Sequence, residues 1–165
     1  MPDELDLPAP ERFTIGTEGP VGQRLFLLQC RQGAQLLTVK IEKQQVAVLA
    51  SYLARIVREL GSPETLADDL DLEEVADFDW ICGKIGVSYD EDLNRVMVVL
   101  EELVEEGEDP SVANVAVTPE QAGRFAVRAT SLIEAGRPAC PLCGLPLDPS
   151  GHICPRTNGH RPPVT

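Results

Sequence analysis

The stretch LLTVKIEKQQVAVLA, residues 36–50, decides the fold because its apolar pattern changes period half-way along. Leu37, Val39 and Ile41 alternate with polar residues, which predicts a half-buried β-strand. The apolar residues that follow recur every three or four positions, which predicts a helix that ends at Gly61. Its apolar face comprises Val46, Leu49, Ala50, Leu53, Ile56, Val57 and Leu60. The stretch is therefore a strand that leads directly into a helix.

Two more strand patterns precede this stretch. RFTIGT (12–17) alternates between apolar and polar residues, and RLFLLQC (24–30) is a nearly continuous apolar run. Together with the strand and helix above, they predict a βββα unit over residues 12–61. Cys30, at the end of the apolar run, is predicted to be a small core residue.

The same order of patterns recurs over residues 78–136. WICGKIG, RVMVVLE and NVAVT predict three strands, and the helix that follows has Thr118 as its N-cap and Gln121 as the partner in a capping box. We interpret the chain as an internal duplication, with units 12–61 and 78–136 joined by an acidic connector, 62–77. The aligned residues include Phe13 with Trp80, Gly16 with Gly83, Arg24 with Arg95 and Gln45 with Gln121.

One βββα unit is too small to bury a core of its own, so the two units are expected to share one. The predicted fold is α+β: one six-stranded, mostly antiparallel sheet with two helices packed on one face, plus a C-terminal zinc knuckle. An intertwined, barrel-like arrangement of the two units is the alternative. Trp80 opens a strand and Cys82 lies within it, so both are predicted to pack in the core.

The charge and the N-terminus narrow the class of protein. The net charge is −13, and the segment 137–165 carries three arginines against one aspartate, so the rest of the chain carries −15. A domain this acidic repels phosphate backbones, which argues against nucleic-acid binding. Residues 1–11 are acidic and broken by prolines, which predicts a disordered N-terminus without a signal peptide. With no apolar run of membrane-spanning length, we expect a cytoplasmic protein.

The C-terminal segment 137–165 contains the metal-binding chemistry. It holds seven of the 14 prolines and no useful periodicity, so it needs something other than burial to order it. Cys140 and Cys143 have the spacing of a zinc-ribbon knuckle, and a second pair follows within the usual distance. The predicted ligands of one structural zinc ion are Cys140, Cys143, His152 and Cys154. His160 is the alternative fourth ligand.

RFTIGTEG, LLQCRQG, EKQQVAVLA and CPLCGLPLDPSGHICPRTNGH together resemble a family of actinobacterial proteins defined by a domain of unknown function (number thirty-ninety). The resemblance extends over nearly the whole chain, and the cysteine-rich motif is its most specific part. It implies an intracellular bacterial protein. It implies no activity, substrate or catalytic residue.

The leading functional expectation is a non-enzymatic, zinc-stabilised adaptor that binds a protein partner, with the acidic runs as one docking surface. The first alternative is an enzyme or a small-ligand binder with an anion site between the two units. The residues of that site would be Lys43, Gln45, Lys84 and Gln121, although the two glutamines also suit a structural role at the strand-to-helix corners. The second alternative is weak nucleic-acid binding by the knuckle through Arg137, Arg156 and Arg161.

Overall fold

The computed structural model describes residues 4–20, 24–61, 71–73 and 77–135. These residues form one mixed sheet and two helices, which confirms the α+β class. Each strand predicted from the repeated patterns is present. The elements are β1 (Glu4–Leu7), β2 (Arg12–Glu18), β3 (Leu25–Gln32), β4 (Gln35–Ile41), α1 (Lys43–Glu59), β5 (Trp80–Asp90), β6 (Arg95–Glu102), β7 (Val112–Val117) and α2 (Pro119–Ala135).

The sheet has seven strands in the order β1-β7-β6-β5-β4-β3-β2. The strands β2, β3 and β4 form one antiparallel meander, and β5, β6 and β7 form another. Parallel pairs join β4 to β5 and β7 to β1. The β4–β5 pairing is short and comprises Val39 with Trp80 and Lys40 with Ile81.

The first strand corrects two predictions. Residues 1–11 were expected to be disordered and the sheet to have six strands, but Glu4–Leu7 form β1, the seventh strand. Leu7 is fully buried in the core, and the side-chain amide of Asn114 donates a hydrogen bond of 2.8 Å to the carboxylate of Asp6. These long-range contacts order a segment whose alternation of Leu5 and Leu7 with acidic residues is too short to predict a strand.

The sheet curls so that α2 reaches from one end of the strand order to the other. This helix follows β7, yet its Phe125 ring stacks on Phe13 of β2 with centroids 4.4 Å apart. Arg128 donates a hydrogen bond of 2.6 Å to the backbone carbonyl of Ile15 in the same strand. Both helices therefore pack on one curled face and contribute to a single core with the strands.

The core is aliphatic and includes both described cysteines, as predicted. Cys30 is fully buried and Cys82 is 2% exposed. Burial raises the pKa of Cys82 to about 11, although a backbone hydrogen bond at Glu101 lowers it in part. Burial also raises the pKa of Cys30. Both thiols are therefore protonated at neutral pH.

Part of the acidic connector covers the opposite face of the sheet. The side-chain amide of Gln29, which is 1% exposed, accepts a hydrogen bond of 2.7 Å from the backbone N–H of Glu73 and donates one to its carbonyl. Arg31 contacts the Glu73 carboxylate at 2.5 Å. Leu72 lies so close to Gly16 that a Cβ at this glycine would be 2.4 Å from the Leu72 Cγ. Gly16 therefore permits the connector to pack on the sheet.

Candidate functional site

A cleft of about 860 Å³ opens at the end of the sheet where β1, β4, β5 and β7 begin and β6 ends. It lies below the start of β5, where the sheet has a gap between β4 and β6. Its lining comprises Glu4, Leu5, Leu36, Leu37, Asp79, Trp80, Glu102, Val104, Glu108, Asp109, Ser111 and Val112. Residues from five strands thus meet in one opening.

The lining carries five carboxylates and no lysine, arginine or histidine. Two of the carboxylates bind backbone amides: Asp79 accepts a hydrogen bond from Thr38 N–H at 2.9 Å, and Glu102 accepts one from Ser111 N–H at 3.0 Å. Glu4, Glu108 and Asp109 are exposed. Walls of one sign focus the electric field within a cleft, so this one attracts cations.

The floor of the cleft is apolar. Leu37 is 5% exposed, while Leu5 and Trp80 are half-buried and pack against the core. The prediction that Trp80 is a core residue is therefore correct in part, because the same ring also lines the cleft. An indole beside carboxylates suits a bound cation that carries an apolar stem. The sequence signal for this arrangement is the acidic Asp79 directly before the tryptophan.

The edge of β4 faces the cleft. Asp79 holds this edge at Thr38: its backbone N–H donates to the Thr38 carbonyl at 2.7 Å, and its carboxylate accepts from the Thr38 N–H. The carboxylate thus stands in for the carbonyl of a neighbouring strand. Leu36 and Leu37, one step further back along β4, line the cleft. In the described part of the chain no strand pairs with them on this side.

A second, smaller groove of about 480 Å³ lies between α1 and β5. Its walls are largely apolar, and Val48 and Tyr52 are more than half exposed. The lining comprises Gln44, Gln45, Val48, Leu49, Tyr52, Gly83, Ile85 and Val87. Of the four residues predicted for an anion site, Gln45 alone belongs to it.

The two glutamines of the predicted anion site bind the backbone. Gln45 accepts a hydrogen bond from Glu42 N–H at 2.8 Å, and its amide nitrogen donates to the carbonyls of Cys82 and Gly83. Gln121 accepts one from Thr118 N–H at 2.9 Å and donates to the carbonyl of Pro10 at 2.8 Å. These contacts fit the structural role that the sequence also suggested.

The two lysines of that predicted site are exposed. Lys43 is the first residue of α1 and does not line the groove. Lys84 lies between Gly83 and Ile85, which both line the groove, so its side chain points to the other face of the sheet. The four residues are therefore not gathered around one cleft.

The predicted zinc ligands Cys140, Cys143, His152 and Cys154 lie outside the described residues, as do His160 and the three arginines of the C-terminal segment. Within the described ranges, no group of three or more His, Cys, Asp or Glu side chains is placed to hold a metal ion. Neither α1 nor α2, the helices of these ranges, is long and apolar enough to cross a membrane.

A family model with the description "Protein of unknown function (DUF3090)" matches residues 5–154. The chain belongs to this family. The match confirms the resemblance that the sequence motifs indicated, and it covers β1, both meanders and both helices. It also includes Cys140, Cys143, His152 and Cys154, and it ends before His160. No curated protein and no solved structure matches the chain.

Proposed function

We propose that this chain is a non-enzymatic binding protein that holds a basic segment of a partner protein in the acidic cleft. The observation that carries the proposal is the cleft itself, in which five carboxylates surround an apolar floor without a compensating cation in the lining. A lysine or arginine places its charged group among the carboxylates and its hydrocarbon stem against Trp80. The cleft thus offers both kinds of contact that such a side chain needs.

Electrostatics favours a basic partner over other ligands. The net charge of −13 accelerates the approach of a cationic partner and repels nucleic acid and anionic membranes. Both histidines of the chain lie in the C-terminal segment, at positions 152 and 160. The cleft lining therefore contains no histidine, and the support for binding is the uniform negative charge of that lining.

In the same proposal, the C-terminal segment is a structural zinc knuckle held by Cys140, Cys143, His152 and Cys154. The ligand spacing supports it, and so does the family match, which ends at Cys154. His160 is the alternative fourth ligand. We further propose that units 12–61 and 78–136 arose by duplication, because their elements follow the same order, and that the protein is cytoplasmic.

The test uses the full chain and a blocked heptapeptide of alternating lysine and valine, with a glutamate–valine peptide as the control for charge. Isothermal titration should detect the basic peptide and not the acidic one. Binding should weaken as the salt concentration rises from about 0.1 M to about 1 M, because the Debye length then falls from about 10 Å to about 3 Å.

Two charge-reversal variants locate the binding site. The double variant Glu108→Lys, Asp109→Lys changes two carboxylates of the cleft lining, whereas Glu105→Lys, Glu106→Lys changes two exposed carboxylates of the same loop outside it. Both alter the net charge equally. The first should weaken binding about tenfold or more and the second at most threefold. Equal losses would refute the cleft as the site.

A further inference from the structure

The strands β4 and β7 hold the same position relative to the helix that follows each of them. At the start of each helix a glutamine, Gln45 or Gln121, accepts a hydrogen bond from the backbone N–H three residues earlier. Leu36 precedes Gln45 by the same nine positions that separate Val112 from Gln121. The two strands can therefore be compared residue by residue.

At these positions the edge of β7 is paired with another strand of the sheet. Residues Val112–Val115 pair in parallel with the four residues of β1. The corresponding residues of β4 are Leu36–Val39. In the part of the chain that the structure describes, Val39 is the one of these four that pairs with a strand on the cleft side. One of two matching edges thus has an added strand, and the other borders the cleft.

Thr38 shows the direction of the backbone groups at the edge of β4. Both its N–H and its C=O bond to Asp79, on the side of the cleft. Backbone groups of an antiparallel strand alternate between its two neighbours, so Leu36, two residues earlier, directs its N–H and C=O to the same side. Among the described residues, no strand pairs with these two groups of Leu36, whereas those of Thr38 are bound to Asp79.

We propose that the edge of β4 at Leu36, next to the Thr38 groups that Asp79 already binds, accepts an extended segment of a partner protein as an added parallel strand, in the way that β7 accepts β1. This inference rests on the proposed function and specifies its mode of binding. Backbone hydrogen bonds would supply affinity, and pockets for alternate side chains would supply specificity. The open strand edge carries the inference, and the cleft lining determines only the charge of the partner.

The partner segment should alternate basic and apolar residues. Successive side chains of a strand point to opposite faces, so one set meets the apolar floor formed by Leu5, Leu37 and Trp80. The other set meets the carboxylates, among them the exposed Glu108 and Asp109. The lysine–valine heptapeptide has this pattern and serves as the probe.

The decisive experiment compares backbone N-methylated forms of this peptide, with methyl groups on all lysines in one form and on all valines in the other. Trp80, the single tryptophan of the chain, reports binding by its fluorescence. In an added strand, one form loses its hydrogen bond to the Leu36 carbonyl and should bind about tenfold more weakly or worse. The other form directs its methyl groups away from β4 and should bind within about threefold of the parent peptide.

A pair of variants tests the same edge by changing the protein and leaving the peptide unmodified. Leu36→Pro removes the N–H that faces the cleft, and Leu36→Ala shortens the side chain but keeps that N–H. The proline variant should bind the peptide about tenfold more weakly than the alanine variant. Circular dichroism and urea unfolding of both variants verify that each is folded, and the methylated peptides give the same answer on the unaltered protein.

The outcomes separate this inference from the proposed function. If the unmodified peptide does not bind, both fail. If it binds and both methylated forms bind equally well, strand addition is refuted while basic-segment binding stands. A several-fold gain in affinity on Arg156→Ala, Arg161→Ala would make the chain's own C-terminal segment the occupant. If ultracentrifugation shows a dimer that the peptide dissociates, the occupant of the β4 edge is a second copy of this chain. Either result overturns the proposal of a partner segment.

Discussion

Gln45 of α1 and Gln121 of α2 make corresponding contacts at the two helix N-termini. Each side-chain oxygen accepts a hydrogen bond from the backbone N–H three residues earlier. Each side-chain nitrogen donates to backbone carbonyls elsewhere: Gln45 to Cys82 and Gly83 at the start of β5, and Gln121 to Pro10 just before β2. Each glutamine thus ties one helix to the strand over which that helix packs.

Removal of either amide should destabilise the protein. Gln45→Ala and Gln121→Ala each leave a helix-start N–H and at least one backbone carbonyl of another segment without this partner, and we expect each to lower the free energy of unfolding by about 1–2 kcal/mol. Gln44→Ala, an exposed neighbour on the same helix, should change it by less than about 0.5 kcal/mol. Urea unfolding measures all three, and a loss as large for Gln44 as for Gln45 would contradict the assignment.

Gly16→Ala should displace the connector. The new Cβ would lie 2.4 Å from the Leu72 Cγ, so we expect a loss of about 1–3 kcal/mol in the free energy of unfolding. Gly86→Ala is the matched control, because the nearest atom to its Cβ is 3.8 Å away. That change should be neutral or slightly stabilising.

A second substitution tests the cause of the loss at Gly16. Leu72→Ala removes the atoms that the new Cβ meets, so the loss should be smaller when Gly16→Ala is made in that background. Strictly additive effects in this double-mutant cycle would show that Leu72 is not the obstacle.

The buried thiol of Cys82 should make the protein less stable at alkaline pH. Its pKa is raised from 9.0 to about 11, so well below pH 9 the thiol is protonated whether the chain is folded or unfolded. Between these values the unfolded chain loses this proton and the folded chain keeps it. Stability therefore falls as pH rises, by on the order of 2 kcal/mol at pH 11.

Cys82→Ala isolates this contribution, because the other titrating groups are common to both proteins. Urea unfolding between pH 8 and pH 11 should give a shallower decline for the variant, and parallel curves would argue against a buried neutral thiol. Iodoacetamide at pH 8 should label Cys82 slowly in the native protein and quickly in urea.

Zinc content tests the C-terminal ligands. Protein purified without added metal should contain about one zinc ion per chain, and Cys143→Ser should lose it. Cys82→Ser is the control. Cys82 is buried in β5, outside the predicted ligand set, so this variant should retain the metal. Unchanged zinc in the Cys143 variant would disprove the knuckle.

The fourth ligand follows from a direct comparison of two histidine variants. His152→Ala should lower the affinity for zinc, and His160→Ala should leave it unchanged. The reverse result would replace His152 by His160 in the ligand set.

Local patterns in the sequence were sufficient to predict six of the seven strands and both helices. A period of two or of about 3.6 residues is produced by neighbours along the chain, so it can be read without any tertiary information. The start of α2 is an example, because Thr118 and Gln121 form their capping hydrogen bonds within four residues. The C-terminal cysteine spacing is local in the same sense.

Only the tertiary structure decided which segments meet. Glu4–Leu7 are ordered by pairing with β7, more than 100 residues later, and Leu72 is placed by a glycine in β2. The cleft brings together carboxylates from Glu4 to Asp109, each of which looks like an ordinary solvated residue in the sequence. Charge and strand edges act through space, so no periodicity encodes them. The sequence by itself determined six strands and both helices, and the curl of the sheet decided where the edge of β4 meets an acidic cleft.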